Sequence, residues 1–191
     1  MEPSMTPGDV QASQENAVQP AEGIVNRVAN SALLTFDLEE YYEPGDRVVI
    51  DIAEQLYQGL ILREKDFRDF IKTNDWKNYE GKFVAITCSA DAIVPTWAFM
   101  LVMVALEPYA KLAVFGSVDA LEEQIFRKRL AGVDWSAYQG GKVVIKGCSK
   151  VNVPVAVYVE ATAQIRKVAA SIMYGEPCST VPLFKRTSRP A

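Results

Sequence analysis

Two stretches of the chain are the most informative about its fold: Lys82–Pro95 (KFVAITCSADAIVP) and Lys142–Pro154 (KVVIKGCSKVNVP). Each is a short β-rich run that ends at Cys-Ser and is followed by a loop and by Val-Pro. Proline is well tolerated at the start of a helix, because its missing N–H has no partner there in any case. Each stretch therefore predicts a strand, a loop and the beginning of a helix.

The two stretches belong to a longer repeat with an offset of 59–60 residues. The copies cover about residues 67–116 and 126–175, and each contains Asp-Trp, Tyr, Cys-Ser and Val-Pro in the same order. A second β-rich run closes each copy, at Phe115-Gly116 and at Tyr174-Gly175. We interpret the chain as an internal duplication of a βαβ unit.

Strands that alternate with helices are typical of a parallel sheet covered on both faces. The sequence therefore predicts a single α/β domain over residues 23–185, with a mainly parallel sheet and helices on both faces. Residues 1–22 are expected to form a disordered N-terminal extension, and residues 186–191 a flexible tail. The further elements expected are strands at Leu33–Asp37, Arg47–Ile52, Leu112–Gly116 and Ser171–Gly175, helices at Pro95–Glu107, Asp119–Leu130 and Pro154–Val168, and mainly helical structure over Ala53–Thr73.

The composition excludes several classes of function. The chain has 191 residues and no His, so a His-based catalytic triad or a His-ligated metal site cannot form. A net charge of −4 argues against a nucleic-acid partner. The apolar run Ala92–Leu106 is shorter than the roughly 20 residues that a membrane span needs. We expect it to lie in the core or in the interface of a homodimer, and we expect a cytoplasmic protein that lacks a signal peptide.

The three cysteines are the strongest candidates for chemistry, because each stands in a Cys-Ser…Val-Pro frame after a predicted strand. The carboxyl ends of parallel strands share one edge of a sheet, where α/β proteins bind ligands. Cys88, Cys148 and Cys178 are therefore expected to hold zinc or an iron–sulfur cluster. Asp91, Glu176, a backbone group, water or a substrate would be the fourth ligand.

Two other interpretations remain open, since the chain has no CxxC spacing of the kind that marks a zinc site. In the first, the protein is a thiol-dependent transferase or reductase with Cys88 as nucleophile and Asp91 nearby. In the second, it is a non-catalytic interaction protein whose cysteines are structural. The acidic run Asp37–Glu40 is either a solvated loop or a source of carboxylates for the site. Whether the protein is an enzyme is left open.

Two long motifs carry a resemblance to known sequences: Ile86–Ala98 (ITCSADAIVPTWA) and Gly175–Pro182 (GEPCSTVP). On these motifs the chain resembles an uncharacterised bacterial family, catalogued as a domain of unknown function, over about Ile24 to Lys185. The resemblance brings no established activity. It implies a gene neighbourhood of sulfur mobilisation, and hence metal or sulfur handling with iron–sulfur assembly proteins as partners.

Overall fold

Strands and helices alternate along most of the chain in the computed structural model, which describes residues 33–147, 150–176 and 179–187. The predicted N-terminal extension, Cys148, Cys178 and the end of the predicted tail lie outside the described residues. The strands are β1 (Leu33–Asp37), β2 (Arg47–Asp51), β3 (Phe83–Thr87), β4 (Leu112–Phe115), β5 (Lys142–Lys146), β6 (Ser171–Glu176) and β7 (Ser179–Lys185). The helices are α1 (Glu64–Thr73), α2 (Thr96–Leu106), α3 (Val118–Leu130) and α4 (Val155–Val168).

The described strands form two sheets, in which neighbouring strands are mostly parallel. The first sheet has the order β1-β5-β6-β7, and the second has the order β2-β3-β4. Every pair is parallel except β6 and β7, which are antiparallel with a register shift between Ile172 and Met173. The chain is therefore an α/β protein with parallel-dominated sheets, as the sequence predicts, but the one predicted sheet is divided into two.

Helix α3 packs against both sheets. Leu121 and Ile125 of α3 pack with Phe83 and Ala85 of β3. Residues about one turn further along α3, Phe126 and Leu130, pack into the core of the first sheet. One helix therefore buries apolar residues against both sheets.

Apolar residues at alternating positions bind each sheet to its helices, as expected for pleated strands. In the second sheet Val84 and Ile86 pack with α1 and α2, and Phe83 and Ala85 pack with α3 on the opposite face. In the first sheet Val143 and Ile145 pack with α3 and α4. Helices thus cover both faces of the second sheet.

The two sheets pair their strands in the same way, with the offset that the sequence repeat has. Phe83 lies opposite Leu112 in the second sheet, and Lys142 lies opposite Ser171 in the first. The duplication itself stays a prediction, and the matching registers agree with it.

Two segments add detail to the sequence-based expectation. Residues 53–73 are mainly helical, as expected, but in two separate parts: a 3-10 helix ends at Gln55, Tyr57 and Ile61 form a β-bridge, and α1 begins at Glu64. A positive φ at Gly59 makes the tight turn inside this bridge. Strand β7 is additional to the strands expected from the sequence, and it contains Pro182, a residue that is uncommon within a sheet.

Candidate functional site

The carboxyl edge of the second sheet holds Cys88, which directly follows β3. Asp51 ends the neighbouring strand β2, and its Oδ1 accepts hydrogen bonds from the N–H of Ala53 at 2.9 Å and of Ser89 at 3.0 Å. One carboxylate therefore caps the 3-10 helix after β2 and also fixes the loop that follows Cys88. Burial opposes the ionised form, but the hydrogen bonds from Ser89 and Ala53 outweigh it and lower the pKa of Asp51.

The Cys88 side chain is half-buried and packs at the rim of an apolar core. Its S–H donates to the carbonyl oxygen of Ala90, with a sulfur–oxygen distance of 3.8 Å. The buried members of this core all lie between Ile50 and Leu106. These contacts favour a packing role for Cys88. Asp91, in the same loop, is exposed.

The carboxyl edge of the first sheet is crowded with charged groups. Asp37 and Lys146 end the paired strands β1 and β5, and Lys146 Nζ lies 2.9 Å from Asp37 Oδ2. Asp37 Oδ1 also accepts from the Glu39 N–H at 3.0 Å, and Glu39 Oε1 accepts from the Lys150 N–H at 2.8 Å. Two carboxylates of the acidic run, those of Asp37 and Glu39, therefore have hydrogen-bond partners within this edge. They do not belong to a loop that contacts only solvent.

Glu176 belongs to the same edge, because it ends β6 beside β5. Its carboxylate is exposed to solvent. The hydrogen bond and the negative charge of Asp37 raise the pKa of Lys146, and the charges of Glu176 and Glu39 add to this effect. Glu176 thus lies near a cation while its side chain stays accessible to a ligand.

The predicted site residues fall on two different sheets. Cys88 follows β3 in the second sheet, whereas Cys148 and Cys178 follow β5 and β6, which are neighbours in the first sheet. The side-by-side arrangement of β3 and β5 that would bring Cys88 to Cys148 is not formed. In the described part of the chain, no three His, Cys, Asp or Glu residues lie close enough together to hold a metal ion. Cys148 and Cys178 are not among the residues compared there.

Sequence reasoning missed the paired role of Asp37 and Asp51. Each ends the first strand of its sheet and caps the 3-10 helix that follows, at Leu38–Tyr41 and Ile52–Gln55. The signal was present in the sequence, because Asp-Leu-Glu-Glu and Asp-Ile-Ala-Glu follow two apolar runs. Asp is a favoured N-cap residue, so this pattern predicts a capped turn after each strand.

Among the described helices, none has the length and apolar character needed to span a membrane. Helix α2 is rich in apolar residues and has 11 residues.

Together, the fold and this edge define an α/β protein with two parallel-dominated sheets and charged carboxyl edges. The chain belongs to the family described as protein of unknown function DUF2480, whose model matches residues 22–186. No match is found among curated proteins. The solved structures give none either.

Proposed function

We propose that the protein binds zinc or an iron–sulfur cluster through cysteine thiolates at the carboxyl edge of the first sheet, and acts in metal or sulfur handling. The observation that carries the proposal is the parallel pairing of β5 and β6. Cys148 and Cys178 each follow one of these strands by two residues. Neighbouring parallel strands deliver their following loops to the same edge, so two thiolates can reach one ion.

The donor set suits a soft metal, because thiolates select zinc and iron–sulfur clusters. Glu176 is the oxygen ligand that the first sheet offers, since its carboxylate is exposed at the end of β6. The larger three-cysteine set proposed from the sequence adds Cys88, with Asp91 as the carboxylate beside it, from the edge of the second sheet. Iron–sulfur assembly proteins are the partners that this function implies.

The test is elemental analysis with an absorption spectrum on protein purified without oxygen from metal-replete cells. Near-stoichiometric zinc or iron is expected in the wild type and should be lost in Cys148→Ser and in Cys178→Ser. Glu176→Gln should lower the occupancy, whereas Glu80→Gln, at another exposed carboxylate, should leave it unchanged. Folded wild-type protein without metal would overturn the proposal.

The Cys88→Ser variant tests whether two or three cysteines bind the metal. Loss of metal in this variant would support the three-cysteine site predicted from the sequence. Full occupancy would restrict the ligands to the first sheet and would assign Cys88 to the packing role that its apolar contacts favour.

A second candidate function is that of a non-catalytic interaction protein, in which the cysteines are structural. The observation that favours it is the outer face of α2, where Met100 is 63% exposed and Val104 is 70% exposed. Contiguous apolar surface of this kind marks interaction sites. Metal-free protein whose three cysteine variants all fold and keep their assembly state would support this function, and a metal bound by the cysteines would contradict it.

A further inference from the structure

A groove of about 420 Å³ lies between α2 and β4, at the edge of the second sheet. Its lining is almost entirely apolar: Ile86, Thr96, Phe99, Met100, Met103 and Phe115. Phe99 and Phe115 meet edge to face, with ring centroids 4.8 Å apart. Phe115 is 65% exposed at the rim of the groove.

The first sheet has a corresponding groove between α4 and β6. It is smaller, about 270 Å³, and is lined by Ile145, Tyr158, Val159, Thr162, Tyr174 and Leu183. Tyr158 and Tyr174 again meet edge to face, with centroids 5.8 Å apart. The first five residues each stand 59 positions after Ile86, Phe99, Met100, Met103 and Phe115 in turn. The two grooves are therefore built by the same elements in the same way.

The grooves differ in what lies beside them. In the first sheet β7 pairs antiparallel with β6 and brings Leu183 into the groove. In the second sheet β4 pairs with β3 and with no other described strand. Tyr174 is 38% exposed beside β7, whereas Phe115 is 65% exposed. A strand of the chain itself thus shows what kind of segment fits such a groove: an extended, antiparallel, apolar one.

The outer edge of β4 also has unused backbone groups among the described residues. The Gly116 N–H donates to the Ile86 carbonyl on the inner side. Backbone groups alternate in direction along a strand, so in the register of β3 and β4 the N–H groups of Ala113 and Phe115 point away from β3. An open edge of this kind is a template for another strand.

We propose that β4 pairs antiparallel with β4 of a second copy of the chain, so that the groove of each copy is closed by its partner. Antiparallel pairing of a strand with its own copy is two-fold symmetric, so one contact closes both open edges. The two α2 helices then lie on the same face of one continuous sheet. Helix α2 has no charged residue over Thr96–Leu106, so the two helices do not repel each other.

This inference rests on the apolar face of α2 that the second candidate function uses, not on its structural cysteines, so it does not depend on whether the cysteines bind metal. Metal analysis tests the cysteine site, whereas the assembly state tests the β4 contact, so failure of one proposal is distinguishable from failure of the other.

Two other occupants of the groove would contradict the proposal. Residues 1–32 of the same chain, or an extended peptide of a different protein, would leave the purified protein monomeric.

The first experiment is sedimentation analysis of the full chain over a range of concentrations. The wild type should be a dimer, and Met100→Glu should weaken the dimer by about 100-fold or more, because the two-fold axis brings two carboxylates into an apolar contact. Phe115→Glu should do the same at the rim of the groove. Val159→Glu is the matched control, since Val159 corresponds to Met100 and is 64% exposed. It should remain dimeric.

Circular dichroism of each variant shows whether it is folded. Met100 and Val159 are both exposed helix positions, so neither substitution threatens the core. A monomeric wild type, or a dimer that both Met100→Glu and Phe115→Glu leave intact, would overturn the proposal.

Hydrogen exchange at the Ala113 amide tests the strand pairing itself, because this N–H lies on the open edge of β4. In the dimer it is expected to be protected, and the protection should disappear on dilution to monomer and in Met100→Glu. Fast exchange of Ala113 in a dimeric wild type would mean that the helices alone form the contact and would overturn the β4 pairing.

Discussion

Asp51 connects two segments through a single carboxylate oxygen. This oxygen accepts the N–H of Ala53 and that of Ser89, which directly follows Cys88. Asp51→Ala removes a helix cap and releases the Cys88 loop, so we expect a loss of about 1 kcal/mol in the free energy of unfolding. Alkylation of Cys88, followed by peptide mass spectrometry, should become faster in the native protein.

Asp75→Ala is the matched control for this prediction. Asp75 caps the 3-10 helix Trp76–Tyr79 by accepting the Lys77 N–H at 3.3 Å. Its removal should lower stability without changing the alkylation rate of Cys88. Equal rates in Asp51→Ala and in the wild type would show that Asp51 does not hold the loop.

Asp51 also makes the free energy of unfolding depend on pH, and the direction of its pKa shift fixes the sign of that dependence. Because its pKa is lowered in the folded protein, its contribution to stability is present above the ordinary aspartate pKa, near pH 4. It is lost as the pH falls below that value and passes through the lowered pKa of the folded state. Urea unfolding between about pH 2 and pH 6 should show a smaller acid destabilisation in Asp51→Asn than in the wild type.

The residues of the candidate site were predictable in kind but not in their contacts. The Cys-Ser motif after an apolar run placed Cys88 correctly at the end of a strand. The bond between Asp51 and the Ser89 N–H joins the end of β2 to the loop that follows β3. Local pattern contains no information about such a pairing, since it depends on which strands become neighbours.

Arg47 and Glu122 connect β2 to α3, and they form the most buried ion pair described. Arg47 Nε lies 2.6 Å from Glu122 Oε1, and the two side chains are 13% and 15% exposed. The guanidinium also donates to the carbonyl oxygens of Gly45 and Glu43 and lies over the ring of Phe83. Several partners therefore hold one cation at the junction of a strand and a helix.

Glu122→Leu should lower the free energy of unfolding by about 3 kcal/mol, because it leaves the Arg47 charge partly buried without its carboxylate. Arg47→Met/Glu122→Leu should recover a large part of this loss. The control is the exposed pair Arg127–Glu160, whose coupling should be much weaker because solvent screens the two charges. A double-mutant cycle by urea unfolding measures both couplings, and equal coupling energies would contradict the buried role.

At the level of elements, periodicity predicted the strands and helices of the repeat but missed β7. The runs around Val84 and Val143 are continuous and apolar, which is typical of strands buried on both faces. Strand β7 has Pro182 and several exposed residues, and it forms only because β6 offers an edge with which it can pair. Such a strand depends on its neighbour more than on its own residues.

At the scale of the whole molecule, the sequence predicted one sheet and the chain forms two. The repeat indicated two βαβ units but not whether their strands would join. In the structure α3 packs against both sheets, since Leu121 packs with β3 and Phe126 lies in the core of the first sheet. The helical pattern of α3 showed that it is amphipathic, but not that its apolar residues divide between two sheets.

If α3 binds the two sheets together, a cavity on one side of it should weaken both. Leu121 is fully buried against β3. Leu121→Ala should lower the free energy of unfolding by about 3 kcal/mol. Native-state hydrogen exchange should then show the same loss of protection at the slowest amides of β3 and of β5, because the two sheets unfold in one transition.

The control is Val104→Ala, at a position that is 70% exposed. It should change neither the free energy of unfolding nor the exchange of these amides. Full protection of β5 in Leu121→Ala would mean that each sheet unfolds separately, and that α3 contacts both without coupling them.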